Sequence, residues 1–227
     1  MWGGFRKGSM RNDTLAMGEA YHVYTKSIAG FRIFNTQAEF ERMRLLLGLY
    51  QAAELPMRLS WLIKAGSHRV EEALAECRNK PKRIQLIAYT IMPTHLHLFI
   101  KQIERDGISE YLRCVLNGYT RYFNIKLKRK GPLYESRFQK RNVKTTEDAL
   151  HVTRYIHLNP VTAGLVDKID DWEFSSYAEY MDNTRHGKGL CDFEGIVSLR
   201  SAVTSSSQRG ELLPLRSPKG DALKALF

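Results

Sequence analysis

The chain has 227 residues, with 35 Lys and Arg against 24 Asp and Glu, a formal net charge of +11. That length allows one domain with additions or two small ones, and no run approaches the ~18 apolar residues of a membrane-spanning helix. The charge imbalance points to a phosphate-bearing partner held in a salt-dependent way, while three cysteines, Cys77, Cys114 and Cys191, fit no zinc or disulfide spacing and read as reduced thiols.

Residues 1–18 are rich in Gly, Arg and polar groups and read as a flexible leader; they lack the continuous apolar stretch of a signal peptide, so the expectation is an unexported, cytoplasmic protein. Ala20 to Ile28 has the aromatic and β-branched content of a first strand, and His22 reads there as an ordinary strand residue rather than a ligand. Thr36 and Glu39 form a capping box, after which Phe40, Met43, Leu46, Leu47 and Tyr50 recur at helical spacing to about Ala53. The less regular stretch 55–82 is bracketed by Pro56 and Pro81 and reads as an insertion, with a short helix over Ser67 to Arg78. Arg83 to Met92 and His95 to Gln102 are β-rich. Only Pro93-Thr94 separates them, which leaves either a tight turn between two strands or one bent strand.

Gly107-Ile108-Ser109 opens a long helix whose apolar stripe is Ile108, Leu112, Val115, Leu116, Tyr119, Tyr122 and Phe123, ending in the basic run Lys126 to Lys130 before Gly131-Pro132. Phe138 to Val143 reads as a strand with Arg137, Lys140 and Arg141 at or near it. Thr145-Thr146-Glu147-Asp148 starts a helix to about Asn159, stopped by Pro160. Residues 183–227 read as a C-terminal extension, partly disordered. Strands and helices mix without regular βαβα alternation, so the expected class is α+β, an antiparallel sheet with helices on one side.

Two elements carry the chemistry. His95 and His97, at i and i+2 of a strand, share one face and could meet on one cation. Tyr155 and Asn159, at i and i+4, share one helix face, so Val152, Tyr155, Ile156 and Asn159 form the side that packs. Delivered onto the sheet, that face would bring a hydroxyl and a third, oxygen ligand. His151 shares the Tyr155 face and His157 points away from it; both read as structural or solvent-facing. Tyr119 and Tyr122 lie on the apolar stripe and read as core, although these or Tyr134 could stack on bases.

These residues resemble the single-tyrosine HUH transposases, in particular the REP-associated tyrosine transposases (RAYTs). The likeness runs from about Tyr21 to Tyr180. Tyr21-His22-Val23 with Arg32-Ile33-Phe34 resembles the family's opening strand and turn, and Met92-Pro93-Thr94-His95-Leu96-His97 its Met-Pro-Asn-His-hydrophobic-His signature, with Thr94 in place of Asn. Gly131-Pro132-Leu133-Tyr134-Glu135-Ser136-Arg137-Phe138 is similar to its Gly-x-Leu-Trp-Glu-Gly-Arg-Tyr stretch. Arg154 to Gly164 is similar to its nucleophile helix and exit, and Trp172 to Tyr177 to the motif that follows. The resemblance implies a ferredoxin-like catalytic domain over 19–182, with His95, His97 and Asn159 as metal ligands and Tyr155 as nucleophile. It also implies a 5′-phosphotyrosyl adduct on single-stranded DNA ends that form hairpins. Two imidazoles and an amide oxygen suit Mn²⁺ or Mg²⁺, and zinc also fits the ligand types. Arg137, Lys140 and Arg141 are the expected DNA contacts, and a monomer or homodimer associated with the nucleoid is expected. The alternative is a non-catalytic DNA-binding regulator on the same scaffold, which would have no need of His95, His97, Tyr155 and Asn159 together.

Overall fold

In a computed structural model the described residues are 15–135, 138–181 and 189–192. All fall in the first of the chain's two units, residues 1–193. Strands β1 (Ala20–Lys26), β2 (Ile84–Met92), β3 (His95–Gln102) and β4 (Gln139–Val143) form one sheet in the order β2-β3-β1-β4, and each neighbouring pair is antiparallel. With α1 (Gln37–Leu49) after β1 and α4 (Gly107–Lys126) after β3, this is the βαββαβ order of a ferredoxin-like unit. The expected fold class is therefore what is found. No described helix is long and apolar enough to cross a membrane.

Alternation divides the sheet. Tyr21 and Val23 of β1, with Leu96, Leu98 and Ile100 of β3, join Met43, Leu46 and Leu47 of α1 and Ile108, Leu112 and Val115 of α4 in one buried cluster. Each such Leu or Ile contributes about 1.5–3 kcal/mol on leaving water. The intervening residues, His22 and Tyr24 on β1 and His95 and His97 on β3, therefore project to the opposite face. There α5 (Thr146–Thr162) lies against β2 and β3, with Tyr155 over the histidines. The helices of the βαββαβ unit thus cover one face as the sequence suggests, and α5 is an addition on the other. The sequence pattern does not show this, because β2 is buried on both sides and its Ile-Ala-Tyr-Thr-Ile run carries no alternation.

Local chemistry fixes the element ends. Glu39 accepts from the backbone N–H groups of Asn35 (2.7 Å) and Thr36 (3.1 Å), the latter within the expected capping box, and from Lys126 Nζ at 2.7 Å. Burial alone would raise its pKa, but these three donors outweigh it and the carboxyl titrates below the usual range. Thr145 Oγ1 accepts from the Asp148 N–H at 3.1 Å and caps α5. Pro160 does not stop this helix, which runs on to Thr162. A proline in the last turn forfeits only its own N–H bond, and Ala163 N–H still reaches the Asn159 carbonyl at 2.9 Å.

The Pro93-Thr94 dipeptide is a tight turn between two strands, so the bent-strand alternative is excluded. Its carbonyls are tied to the β1–α1 connection: Pro93 O accepts from Ile33 and Phe34, and Thr94 O from Ser27. The 55–82 segment contains α3 (Ser67–Asn79) and also α2 (Leu59–Lys64), which the sequence reading does not anticipate. Its ends are pinned together, Ala53 N–H to Pro81 O at 2.9 Å beside an Ala52/Lys82 bridge, and Leu62, Ala73 and Cys77 pack with Leu49 and Ala52 in a satellite core. Edge strand β2 is covered by Phe174, Ser175 and Ser176, whose backbone bonds to Tyr89 and Ile91 fill part of the open ladder. After Ser176 the short α6 (Tyr177–Met181) ends the second described stretch. Of the leader, Leu15 packs on the core and its carbonyl accepts from Gln102 Nε2. Residues 1–14 lie outside the described residues, as does most of the expected C-terminal extension.

Candidate active site

Strand β3 presents His95 and His97 on one face, as their spacing requires. Their rings meet edge to face, with centroids 5.0 Å apart. In the antiparallel register Tyr24 lies directly across from His97, and His22 across from Phe99. The His22 and His97 ring centroids lie 5.3 Å apart with the planes at 18°, and His22 Nε2 lies 3.1 Å from His97 Nδ1. Tyr155 reaches over from α5 and sets its ring edge-on to both, 5.6 Å from each centroid. It remains 51% exposed, so the phenol is open to a ligand from solvent while one side of its ring rests on the imidazoles.

His22 lies on β1, as the sequence reading has it, but that reading does not place it against His97. It is buried within the histidine cluster. The strand assignment itself is right, but which face His22 occupies depends on the pairing of β1 with β3, and a single strand read alone cannot supply that.

The cluster is electrically neutral. Burial first, and then the Arg141 cation, lower the His22 pKa to about 4. His97 is lowered to about 3 by burial, followed by repulsion from His22, His95 and Lys26, and His95 is lowered by burial and by Lys26. Near pH 7 all three rings are lone-pair donors rather than cations, the form in which imidazole binds a metal.

His95 Nδ1 lies 2.9 Å from Thr94 Oγ1, and His97 Nδ1 is engaged by His22. Neither Nε2 has a hydrogen-bond partner among the described residues. Two neutral imidazoles with Nδ1 held and Nε2 uncommitted fit a divalent cation, and Thr94 supplies a contact of the kind that orients a ligand. The described residues contain no group of three or more His, Cys, Asp or Glu placed to hold a metal. Asn159, one turn beyond Tyr155, donates from Nδ2 to the Tyr155 carbonyl at 2.8 Å and has no hydrogen bond to either histidine among the described residues.

The expected basic residues separate by face. Arg141 lies across from His22 and shares the Tyr155 side, with Asp148 at 3.6 Å. Lys140 lies across from Val23 and so belongs to the opposite face. Arg137 lies outside the described residues. Tyr119 is core, its hydroxyl donating to the Ile33 carbonyl, and Tyr122 is covered by the Arg42 guanidinium 4.6 Å above its ring. His151 is exposed, whereas His157 is buried between Tyr177 and Tyr180 with Nε2 2.7 Å from Ser176 Oγ.

A ferredoxin-like sheet that carries a histidine cluster beneath a helix-borne tyrosine is thus the class of molecule in hand. The chain is 29% identical over 101 residues to a REP-associated tyrosine transposase of Escherichia coli (strain K12), covering 44% of this chain and 57% of that one. It is 25% identical over 111 residues to a putative REP-associated tyrosine transposase of Haemophilus influenzae (strain ATCC 51907 / DSM 11121 / KW20 / Rd), covering 44% and 62%. The matches therefore span less than two thirds of either curated relative. A solved structure of a REP-associated tyrosine transposase bound to a REP hairpin is similar with a TM-score of 0.49 and 17% identity, over 76% of this chain and 84% of that one. No protein-family model matches. The chain is RAYT-like, similar over these stretches to curated REP-associated tyrosine transposases.

Proposed function

We propose that this protein is a transposase-type enzyme that nicks and rejoins single-stranded DNA through Tyr155, with His95 and His97 holding a divalent cation, Mg²⁺ or Mn²⁺. The observation that carries the reading is the Tyr155 ring set 5.6 Å from the His97 ring on the same face as His95. The names of the curated relatives support it. A hairpin-forming end is the proposed substrate, as the motif resemblance implies.

In this reading Tyr155 Oη attacks a phosphorus, forming an O–P bond as the P–O3′ bond breaks. The product is a 5′-phosphotyrosyl adduct and a free 3′ hydroxyl. The phenol loses a proton and the departing O3′ gains one, so the exchange is balanced and needs no nucleotide cofactor. A phenol of pKa ~10 is ionised about once in 10³ molecules at neutral pH, so attack on an anionic diester needs help. When bound, a divalent ion would supply it by drawing charge from a non-bridging phosphate oxygen. His95 and His97 would bind that ion through Nε2. The reading takes Asn159 as the third ligand, through Oδ1, leaving Nδ2 on the Tyr155 carbonyl. Arg141, on the same face, would contact the DNA backbone, with Lys140 and Arg137 as the other proposed contacts, and the 19–182 region is the proposed catalytic domain. The adduct conserves the diester's energy, so attack by a 3′ hydroxyl reverses the step and joins strands.

The test is incubation of the full chain with Mn²⁺ and a library of folded single strands, followed by denaturing electrophoresis. A protein–DNA adduct that disappears in Tyr155→Phe, with DNA binding retained, is the expected result. Cleaved strands without an adduct, or an adduct that persists in the variant, would refute the assignment.

A further inference from the structure

The 3.1 Å contact between His22 Nε2 and His97 Nδ1 allows a single N–H between two neutral rings, and so two arrangements. In the first, His22 Nε2–H donates to His97 Nδ1. His97 then carries its own proton on Nε2, and that nitrogen has no lone pair for a cation. In the second, His97 Nδ1–H donates to His22 Nε2, and His97 Nε2 is left as an open donor. Only the second is compatible with ligation by His97, and it needs an acceptor at the position His22 occupies.

The surroundings make His22 suited to that task. It is 8% exposed, close to coplanar with His97 at 18° as an in-plane N–H···N bond requires, and edge-on to Tyr155 at 75°, so its ring is held in place from two sides. It approaches His97 from the Nδ1 side, which places it behind the ligand and not among the ligands. Thr94 Oγ1 stands in the same relation to His95 Nδ1, at 2.9 Å. The two imidazoles are therefore each held by a neighbour at the corresponding nitrogen, one from the turn and one from the adjacent strand.

We infer that His22 is a positioning residue that accepts the Nδ1–H of His97 and so fixes the tautomer in which His97 Nε2 faces the cation. The inference rests on the reading of His97 as a metal ligand, yet its first test contains no metal. Long-range ¹H–¹⁵N correlation spectra of the full chain, labelled at histidine and kept in EDTA near neutral pH, report which ring nitrogen carries the proton. The expected result is His97 as the Nδ1–H form in the wild type and in H22Q, whose amide oxygen can replace the acceptor. In H22L the Nε2–H form should appear. Titration with Mn²⁺ should then show affinity reduced about 10- to 100-fold in H22L and within about threefold of wild type in H22Q.

A wild-type His97 in the Nε2–H form overturns the inference, as does an unchanged Mn²⁺ affinity in H22L when the wild type binds the ion. Where H22L fails to fold, the wild-type and H22Q spectra decide. If the wild type binds no Mn²⁺ while its His97 tautomer is as expected and changes in H22L, the tautomer inference holds and the metal reading falls.

Discussion

His157 shows how one buried side chain can set an acid limit. Burial holds its pKa at about 3 beside an ordinary 6.5, so the folded protein keeps it neutral where the unfolded chain takes up a proton. Its contribution to stability is complete above about pH 6.5 and is lost progressively as pH falls toward 3, because the unfolded state then binds more protons. Between pH 7 and pH 5 this group should lower stability by about 2 kcal/mol in urea titrations. H157Q, which can keep a bond to Ser176 Oγ, should flatten that slope, and parallel slopes for the two proteins would contradict the account. At the site itself, His95 is only half-buried and contributes no core packing. H95A should therefore abolish Mn²⁺-dependent cleavage with the unfolding midpoint little changed, and undiminished cleavage would remove it from the proposed ligands. Shared faces were legible where they follow from spacing within one element, as for His95 with His97 or Tyr155 with Asn159. The shared face of His22 was not, since it arises from the strand beside it.

At the scale of elements, the joint between α4 and the strand edge is tight against backbone. A Cβ added to Gly107 would lie 2.2 Å from the Arg83 carbonyl oxygen, which also accepts from the Ile103 and Glu104 N–H groups and so cannot withdraw freely. G107A should cost about 1–3 kcal/mol in denaturant unfolding, and an effect under half of that would mean the helix start is more pliable than drawn. Helices α1, α4 and α5 were readable because each repeats apolar residues at helical period and opens on a cap or acidic turn. Helix α2 was not readable: six residues, with no cap bond from Arg58, give periodicity too little length to register. The end of α5 was misplaced for a related reason. Proline interrupts the interior of a helix, but in the last turn it costs little, and sequence alone does not say which turn is last.

For the whole molecule, net charge says that a polyanion is attracted but not where it lies. The sheet places Arg141 and Lys140 on opposite faces. If DNA crosses the Tyr155 face, R141E should weaken binding and reduce the slope of log affinity against log salt by about one. K140E should do less, and fluorescence anisotropy over a salt series would measure both. Equal losses would mean that the strand path wraps the β4 edge. The overall α+β class was legible because the order of elements leaves few ways to close an antiparallel sheet. The side on which α5 packs was not, since that is a question of three dimensions that a buried strand does not encode.

The alternation along β1 and β3 has one further consequence. Tyr21 and Val23 face the interior, and His22 and Tyr24 face the candidate site, in strict turn. Adding or deleting a single residue there would exchange the two sets wholesale, burying imidazoles in hydrocarbon and exposing the aliphatic side chains to water. A length change within the 53–81 excursion, whose ends meet at Ala53 and Pro81, would leave that register untouched.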